Sequence, residues 1–157
     1  MESATETIAV VRELSIAARP ETVWELLVDP EQARRWMGVD VAFEPHPGGL
    51  YRVEVVPGHV ARGSFVELDP PRRLVFTWGW EQSEDGPPVQ VPPGSSTIEI
   101  ALEPDGDGTR VRFTHRDLPG AEPAASHARG WDHYLPRLAT AAADGDPGRD
   151  PWIDGDT

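Results

Sequence analysis

The side chains best suited to acid–base chemistry in this chain are a histidine and a tyrosine in its second half. His115 alternates with Val111 and Phe113 along a run typical of a strand, so we expect its side chain to face the interior. With Tyr134 or Glu67 beside it, this imidazole could act as a general acid or base. The alternative is a core histidine that its neighbours satisfy by hydrogen bonds, the more common situation for a lone inward histidine. His115 is therefore the best catalytic candidate, and a structural role stays open.

Aromatic side chains recur at positions where they could line a cavity. His127, Trp131 and Tyr134 share one face of a helical segment late in the chain. Trp78 and Trp80 end a strand-like run beside a proline-rich loop, Glu84 to Gly94, which contains four prolines. The mouth of a pocket could lie there. Core packing is the alternative for each tryptophan. The full set of candidate ligand-binding residues is Trp36, Phe65, Trp78, Trp80, Phe113, His115, His127, Trp131 and Tyr134.

The composition excludes several kinds of chemistry. There is no cysteine, which removes thiolate catalysis and disulfides, and all 14 basic residues are arginines, which removes Schiff-base chemistry. The sequence has neither a Gly-x-Ser-x-Gly nor a His-Glu-x-x-His motif, and its five histidines lack close ligand spacing. Asp105-Gly-Asp-Gly108 starts like a calcium loop, but Arg116 stands where the twelfth-position glutamate would be. We therefore expect no metal and no other cofactor.

The net charge and the composition of the chain ends limit the partners and the cellular location that we expect. A net charge of −13 argues against nucleic acid and anionic membranes, because both need a positive surface. No segment resembles a signal peptide and no apolar run approaches about 20 residues, so we expect a cytoplasmic protein. Residues 1–7 and the acidic, Gly- and Pro-rich residues 144–157 are predicted to be loose tails around one domain at 8–143. Trp152 is the exception, since it could dock back on the domain or belong to an ordered extension.

The hydrophobic periodicity predicts an α+β fold that brings these side chains together. One strand precedes two short helices, six further strands and a long helix. A curved antiparallel sheet of about seven strands can bury one face under that helix, which then crosses the concave side and leaves a pocket. An exposed sheet edge permits a homodimer without requiring one, so a monomer or a homodimer is expected. The predicted strands are Ile8 to Ala17, Val39 to Phe43, Tyr51 to Val55, His59 to Leu68, Leu74 to Trp80, Ile98 to Leu102 and Val111 to His115. The first predicted helix starts at Pro20, the second runs from Glu31 to Trp36, and the last runs from about Pro123 to Ala143.

The strand His59 to Leu68 has two possible registers. One points Glu67 inward and the other points Arg62 inward, and a bulge near Gly63 could switch between them. Either inward charge would change the ligand that the cavity accepts.

Two further expectations concern the last helix. Gly130 is expected to let the helix approach the sheet closely. Arg129, His133 and Arg137 recur every four residues on a face that we expect to be solvated.

Five stretches, taken in order, carry a family resemblance. They are Pro47–Arg52, Gly63–Pro70, Leu74–Trp78, Gly108–His115 with Leu118-Pro119, and Gly130-Trp131 with Leu135 and Leu138. Over about residues 8 to 143 the chain resembles the helix-grip (START-like, SRPBCC) superfamily, in the branch named for the activator of heat-shock protein 90 ATPase. The resemblance implies the helix-grip fold. It also implies that the chain corresponds to one domain of the eukaryotic co-chaperone, without a counterpart of the domain that grips the chaperone.

The predicted fold and its resemblance to this family suggest three possible functions. The leading hypothesis is a module that binds a small hydrophobic or aromatic molecule between sheet and helix. The second is an enzyme similar to the cyclases and aromatases of this superfamily, with His115 as general acid or base. The third is a protein-interaction module whose partner is a chaperone or a transcriptional regulator. A cavity of roughly 300 Å³ or more favours the first two, and a polar pair inside it favours catalysis.

Overall fold

The structure, a computed structural model, describes residues 7–154, and these form one antiparallel sheet with helices against it. The predicted N-terminal tail, apart from Thr7, and residues 155–157 lie outside the described residues. The elements are β1 (Ile8–Ile16), α1 (Pro20–Val28), α2 (Pro30–Ala33), β2 (Asp40–Phe43), β3 (Leu50–Val56), β4 (His59–Asp69), β5 (Arg73–Trp78), β6 (Ser96–Asp105), β7 (Gly108–Leu118), α3 (Ala121–Ala142) and a 3-10 helix (Pro151–Asp154).

The strand order is β1-β7-β6-β5-β4-β3-β2, with every neighbouring pair antiparallel. Strands β2 to β7 follow one another as a meander. Short connections join most neighbours, and the longer segment 79–95 joins β5 to β6. The connection that contains α1 and α2 carries the chain from one edge strand, β1, to the other, β2. The predicted α+β helix-grip fold is confirmed, since seven strands form one curved sheet and a long helix lies on it.

The first two helices are short and anchored by buried side chains. Pro20 occupies the first turn of α1, where the missing N–H costs nothing, and the Asp29 side chain caps α2 by accepting a hydrogen bond from the Glu31 amide at 3.0 Å. The predicted second helix reached Trp36, whereas α2 ends at Ala33. Trp36 instead turns into the core and donates its indole N–H to the Leu26 carbonyl at 2.8 Å.

The register of β4 combines parts of both predicted alternatives. Ala61 and Phe65 point inward, and the ladder then shifts between Phe65 and Glu67, so the irregularity lies two residues beyond Gly63. Glu67 is exposed and pairs with Arg73 at 2.9 Å. Arg62 is exposed as well, so neither charge enters the cavity.

Helix α3 presents the predicted apolar face to the sheet. Trp131, Leu135 and Leu138 are buried in the main core, and Asp132 accepts two hydrogen bonds from Arg12 of β1 at 2.7 and 3.2 Å. The expectation of a solvated face at His133 and Arg137 is wrong, because the segment after α3 covers both. Within residues 7–154, no helix is both long enough and apolar enough to span a membrane.

Candidate functional site

A cavity of about 380 Å³ lies between α3 and the sheet. Five of the predicted binding residues line it: Trp78 and Trp80 from the end of β5 and just beyond, and His127, Trp131 and Tyr134 from α3. The exposed residues His59 and Arg129 lie at its rim, where it opens to solvent. The remaining lining residues are Met37, Val55, Val56, Ser126, Gly130 and Trp152. The cavity is therefore aromatic over most of its wall, with its few polar groups on α3 and at the rim.

The other four predicted residues lie in the core and do not line the cavity. Trp36 is held beneath α1 by its bond to Leu26, and Phe65 packs edge-on to Tyr51 with ring centroids 5.7 Å apart. Phe113 contacts the Trp131 ring at 4.6 Å. His115 is fully buried behind the same ring. Alternation correctly predicted that Phe113 and His115 point inward. Both side chains are packed in the core and do not reach the cavity wall.

His115 has a partner for each ring nitrogen. Trp131 donates its indole N–H to Nδ1 at 3.0 Å, and Nε2 lies 2.8 Å from the Ser96 hydroxyl. That hydroxyl in turn donates to the Trp78 carbonyl at 2.8 Å. Because Nδ1 accepts, the proton sits on Nε2 and points to Ser96. The imidazole on β7 is thus joined to β6 and α3 through two buried hydrogen bonds, and the Ser96 hydroxyl extends the network to β5.

This network keeps the imidazole neutral. Burial, together with the nearby His127, lowers the pKa of His115 to about 3. A second proton on Nδ1 would also displace the indole donor of Trp131. The geometry is that of a structural histidine, and neither Tyr134 nor Glu67 forms a hydrogen bond with it to make an acid–base pair.

His127 is held neutral by a similar pattern on the cavity wall. Trp80 donates its indole N–H to Nε2 at 3.0 Å, and Nδ1 lies 2.8 Å from the Pro123 carbonyl one helical turn earlier. Burial lowers the pKa of His127, although the hydrogen bond to Pro123 acts in the opposite direction. Trp80 and His127 together also border a second hollow of about 460 Å³ beneath the proline-rich loop, where Glu81 and Glu122 are found.

Trp78 differs from Trp80 and Trp131 because its buried indole N–H is unsatisfied. Its side chain is only 2% exposed, and Nε1 has no hydrogen-bond partner among the described residues. The ring packs edge-on to Trp80 at 5.4 Å and beside Trp131 at 5.1 Å. A buried donor without an acceptor costs about 1–3 kcal/mol. It is the kind of group that a bound molecule can satisfy.

Gly130 does not serve the close approach that the sequence predicts. A Cβ atom built at this position meets no atom within 4 Å, so the helix is not pressed against the sheet there. Gly130 instead borders the cavity. Close approach is found at Gly63 on β4, where a side chain would collide with the Thr77 carbonyl.

The comparisons with known proteins identify the family. Residues 17–143 match the family model of activator of Hsp90 ATPase homolog 1-like (AHSA1) proteins. The chain belongs to this family. The predicted resemblance is confirmed, and no curated protein matches the chain.

Solved structures of AHSA1-like and related proteins share the fold. An AHSA1-like protein from Rhizobium etli is 50% identical, with a TM-score of 0.74 over 97% of this chain and 92% of that one. The Aha1 dimer from Colwellia psychrerythraea is 19% identical, with a TM-score of 0.75 over 88% of this chain and 98% of that one. DynU16, described as a putative protein in the dynemicin biosynthetic locus, is 24% identical, with a TM-score of 0.75 over 90% of this chain and 49% of that one. The last two similarities concern the fold alone.

Beyond the matched AHSA1 region, residues 144–154 form a C-terminal clasp over α3. Asp150 is 3% exposed and accepts hydrogen bonds from the Tyr134 hydroxyl at 2.6 Å and from the Trp152 amide at 3.0 Å. Its other carboxylate contact is His133 Nε2 at 2.7 Å. Trp152 stacks on the His133 ring at 3.9 Å and completes one end of the cavity wall. Of the two positions considered for Trp152, docking back on the domain is the one observed.

Composition predicted a loose tail here, and the difference has a physical reason. The clasp contributes one buried carboxylate and one stacked indole, while Arg137 donates to the Trp36, Pro147 and Gly148 carbonyls at 3.0, 3.1 and 2.8 Å. The two bonds to Pro147 and Gly148 fix the backbone of the clasp to a charged guanidinium, which the bond to Trp36 holds in place. Such bonds can offset the ordering entropy of a short segment. Average polarity over the segment does not report such specific contacts.

Removing the Asp150 carboxylate is expected to loosen the clasp. Asp150→Ala should lower the free energy of unfolding by about 1–3 kcal/mol, because the Tyr134 hydroxyl and His133 lose a buried acceptor. Urea unfolding measures the loss, and Asp85→Ala, which removes an exposed carboxylate far from the clasp in sequence, is the control with an expected change within about 0.5 kcal/mol. Equal effects of the two substitutions would contradict the buried role of Asp150.

The clasp should also respond to acid. Burial alone would raise the pKa of Asp150, but hydrogen bonds from Tyr134, His133 and the Trp152 amide outweigh it and leave the pKa below its usual value. A carboxyl whose pKa is depressed on folding stabilises the protein above its unfolded pKa of about 3.9. Its contribution is lost as the pH falls below that value, so the clasp should stay docked at neutral pH.

Proposed function

We propose that this AHSA1-family protein is a cytoplasmic module that binds a small apolar or aromatic molecule in the cavity between α3 and the sheet. The observation that carries the proposal is the empty space beside Gly130, within helix α3. A glycine inside a helix costs about 0.5–1 kcal/mol relative to alanine, yet here no neighbour needs the space. The residue borders the aromatic cavity, so its missing side chain leaves room for a ligand.

The two other functions have weaker support. An enzyme would need a polar group free to exchange protons, whereas both nitrogens of His115 are engaged and the Tyr134 hydroxyl is bonded to Asp150. A protein-interaction module would be favoured by a collapsed cavity and a contiguous apolar surface. Instead the cavity is open, and the large exposed apolar residues of the described chain are few: Ile8, Val11 and Val66.

Side chains introduced at Gly130 should close the cavity without harming the fold. With N-phenyl-1-naphthylamine as a fluorescent apolar probe, Gly130→Leu is expected to weaken binding at least about tenfold, because the isobutyl group enters the ligand space. Gly130→Ala should bind the probe nearly as well as the original protein. It should also raise the free energy of unfolding by about 0.5–1 kcal/mol through helix propensity.

The pair of substitutions separates a blocked site from a damaged fold. Both variants should unfold at or above the urea concentration of the original protein, since leucine and alanine both favour helix. If Gly130→Leu binds the probe as tightly as the original protein does, the ligand is not in this cavity. Failure of the original protein to bind the probe would also count against the proposal.

A further inference from the structure

We infer that the natural ligand is an organic anion: an apolar or aromatic body that ends in a carboxylate or a similar oxyanion, held at the rim by Arg129. This inference rests on the proposed function and adds the charge of the ligand to it. It follows from three observations on the cavity wall.

The first observation is the absence of acidic groups from that wall. The chain carries 27 acidic and 14 basic residues. Among the lining residues, however, there is no aspartate or glutamate, while Arg129, His59 and His127 are present. A protein with this net charge repels anions over most of its surface, so a wall without acid and with one guanidinium is a local exception.

The second observation is that Arg129 has no carboxylate partner among the described residues. Other arginines of the described chain, such as Arg12, Arg73 and Arg116, are engaged by carboxylates at 2.7–2.9 Å. No carboxylate within residues 7–154 pairs with Arg129, which is exposed at the rim of the cavity. A guanidinium binds an oxyanion through two parallel hydrogen bonds, a geometry that a ligand carboxylate can complete.

The third observation is the unsatisfied donor deeper in the wall. The indole N–H of Trp78 is buried without an acceptor among the described residues. An acceptor oxygen on the ligand would satisfy it, whereas a pure hydrocarbon would leave it unpaired. A cationic ligand is disfavoured by the same wall, because Arg129 stands at the rim and no acidic group faces it.

The neighbouring hollow beneath the proline-rich loop supports the same orientation. It shares Trp80 and His127 with the cavity, but it contains Glu81 and Glu122. The anionic end is therefore expected to point toward Arg129 and away from these carboxylates.

Two matched probes test the charge preference. The anion 8-anilinonaphthalene-1-sulfonate and the neutral N-phenyl-1-naphthylamine share one aromatic frame and differ by the sulfonate. The original protein should bind the anion at least about fivefold more tightly than the neutral probe. Arg129→Gln should remove that difference, so that the variant binds the two probes about equally. Arg112→Gln, which removes an exposed arginine of β7 that lies outside the cavity, should preserve the preference.

The outcomes distinguish this inference from the proposed function. If the neutral probe binds as tightly as the anion, or if Arg129→Gln and Arg112→Gln behave alike, the binding module stands and the anion preference is refuted. If neither probe binds to the original protein, the proposed function fails and the inference falls with it. A gain of anion affinity in Arg129→Gln would likewise overturn the assignment of the rim.

Discussion

Replacing Trp131 with alanine is expected to lower the free energy of unfolding by about 3–5 kcal/mol. The side chain is 4% exposed and packs against Phe113 and Trp78 at 4.6 and 5.1 Å. Truncation leaves a large void and also strips Nδ1 of His115 of its hydrogen-bond donor. Although Trp131 borders the cavity, most of its surface is core, so stability should suffer before binding can be assessed.

Urea unfolding followed by far-UV circular dichroism measures this loss, and Trp131→Phe serves as the matched variant. Phenylalanine keeps an aromatic ring but removes the indole N–H, so a smaller loss of about 1–3 kcal/mol is expected. If Trp131→Ala costs less than about 1 kcal/mol, Trp131 is a wall of the cavity and the core assignment is wrong.

Replacing His115 with alanine is expected to lower the free energy of unfolding by a similar amount, about 3–5 kcal/mol. The substitution opens a void at a fully buried position, leaves the Trp131 indole N–H without its acceptor and leaves the Ser96 hydroxyl oxygen without its donor. His115→Asn keeps an acceptor near the position of Nδ1 and should recover part of the loss. A residue that served only a ligand would give little loss of stability in either variant.

The pH dependence of stability gives His115 an independent signature. Its pKa is about 6.5 in the unfolded chain and about 3 in the folded protein, so between these values the unfolded state binds one more proton. Stability is therefore fully present above about pH 6.5 and falls by about 1.4 kcal/mol for each pH unit of acidification below it. When the urea midpoint of unfolding is measured from pH 7 to pH 5, it should fall less steeply with acidification for His115→Asn than for the original protein. Equal slopes would mean that His115 titrates normally in the folded state.

The strands of this fold can be predicted from the sequence because apolar and polar residues alternate along them. Val111 and Phe113 point inward by period-two spacing, and the α3 face that bears Trp131 follows from helical spacing. The same patterns fail where one residue breaks the period. The shift between Phe65 and Glu67 turns Glu67 outward, and no residue type there marks the bulge.

The candidate site was harder to predict, because its character depends on contacts between distant segments. Spacing alone leaves His115 open as an acid–base group or as a satisfied core histidine, and the partners that decide between them, Ser96 and Trp131, lie 19 and 16 residues away. Gly130 was expected to touch the sheet, and only the position of the sheet shows that it faces empty space. Arg129 carried the same periodic signal as His133, yet one lies at the rim and the other lies under Trp152.

Some of the missed cavity residues did carry a signal. Val55 alternates with Val53 along β3 and could have been placed inward from spacing alone. Met37 could not, because it lies in the irregular segment between α2 and β2. Ser126 lies in the second turn of α3, where its polar side chain adds nothing to the hydrophobic pattern.

The six tryptophans provide the most direct test of a ligand in this cavity. Trp78, Trp80, Trp131 and Trp152 line it, whereas Trp24 and Trp36 are buried elsewhere in the same core. In a ¹H–¹⁵N correlation spectrum, titration with N-phenyl-1-naphthylamine should move the four indole N–H signals of the cavity and leave those of Trp24 and Trp36 in place. Movement confined to Trp24 and Trp36, uniform small shifts of all six, or no shift at saturating probe would contradict a binding site between α3 and the sheet.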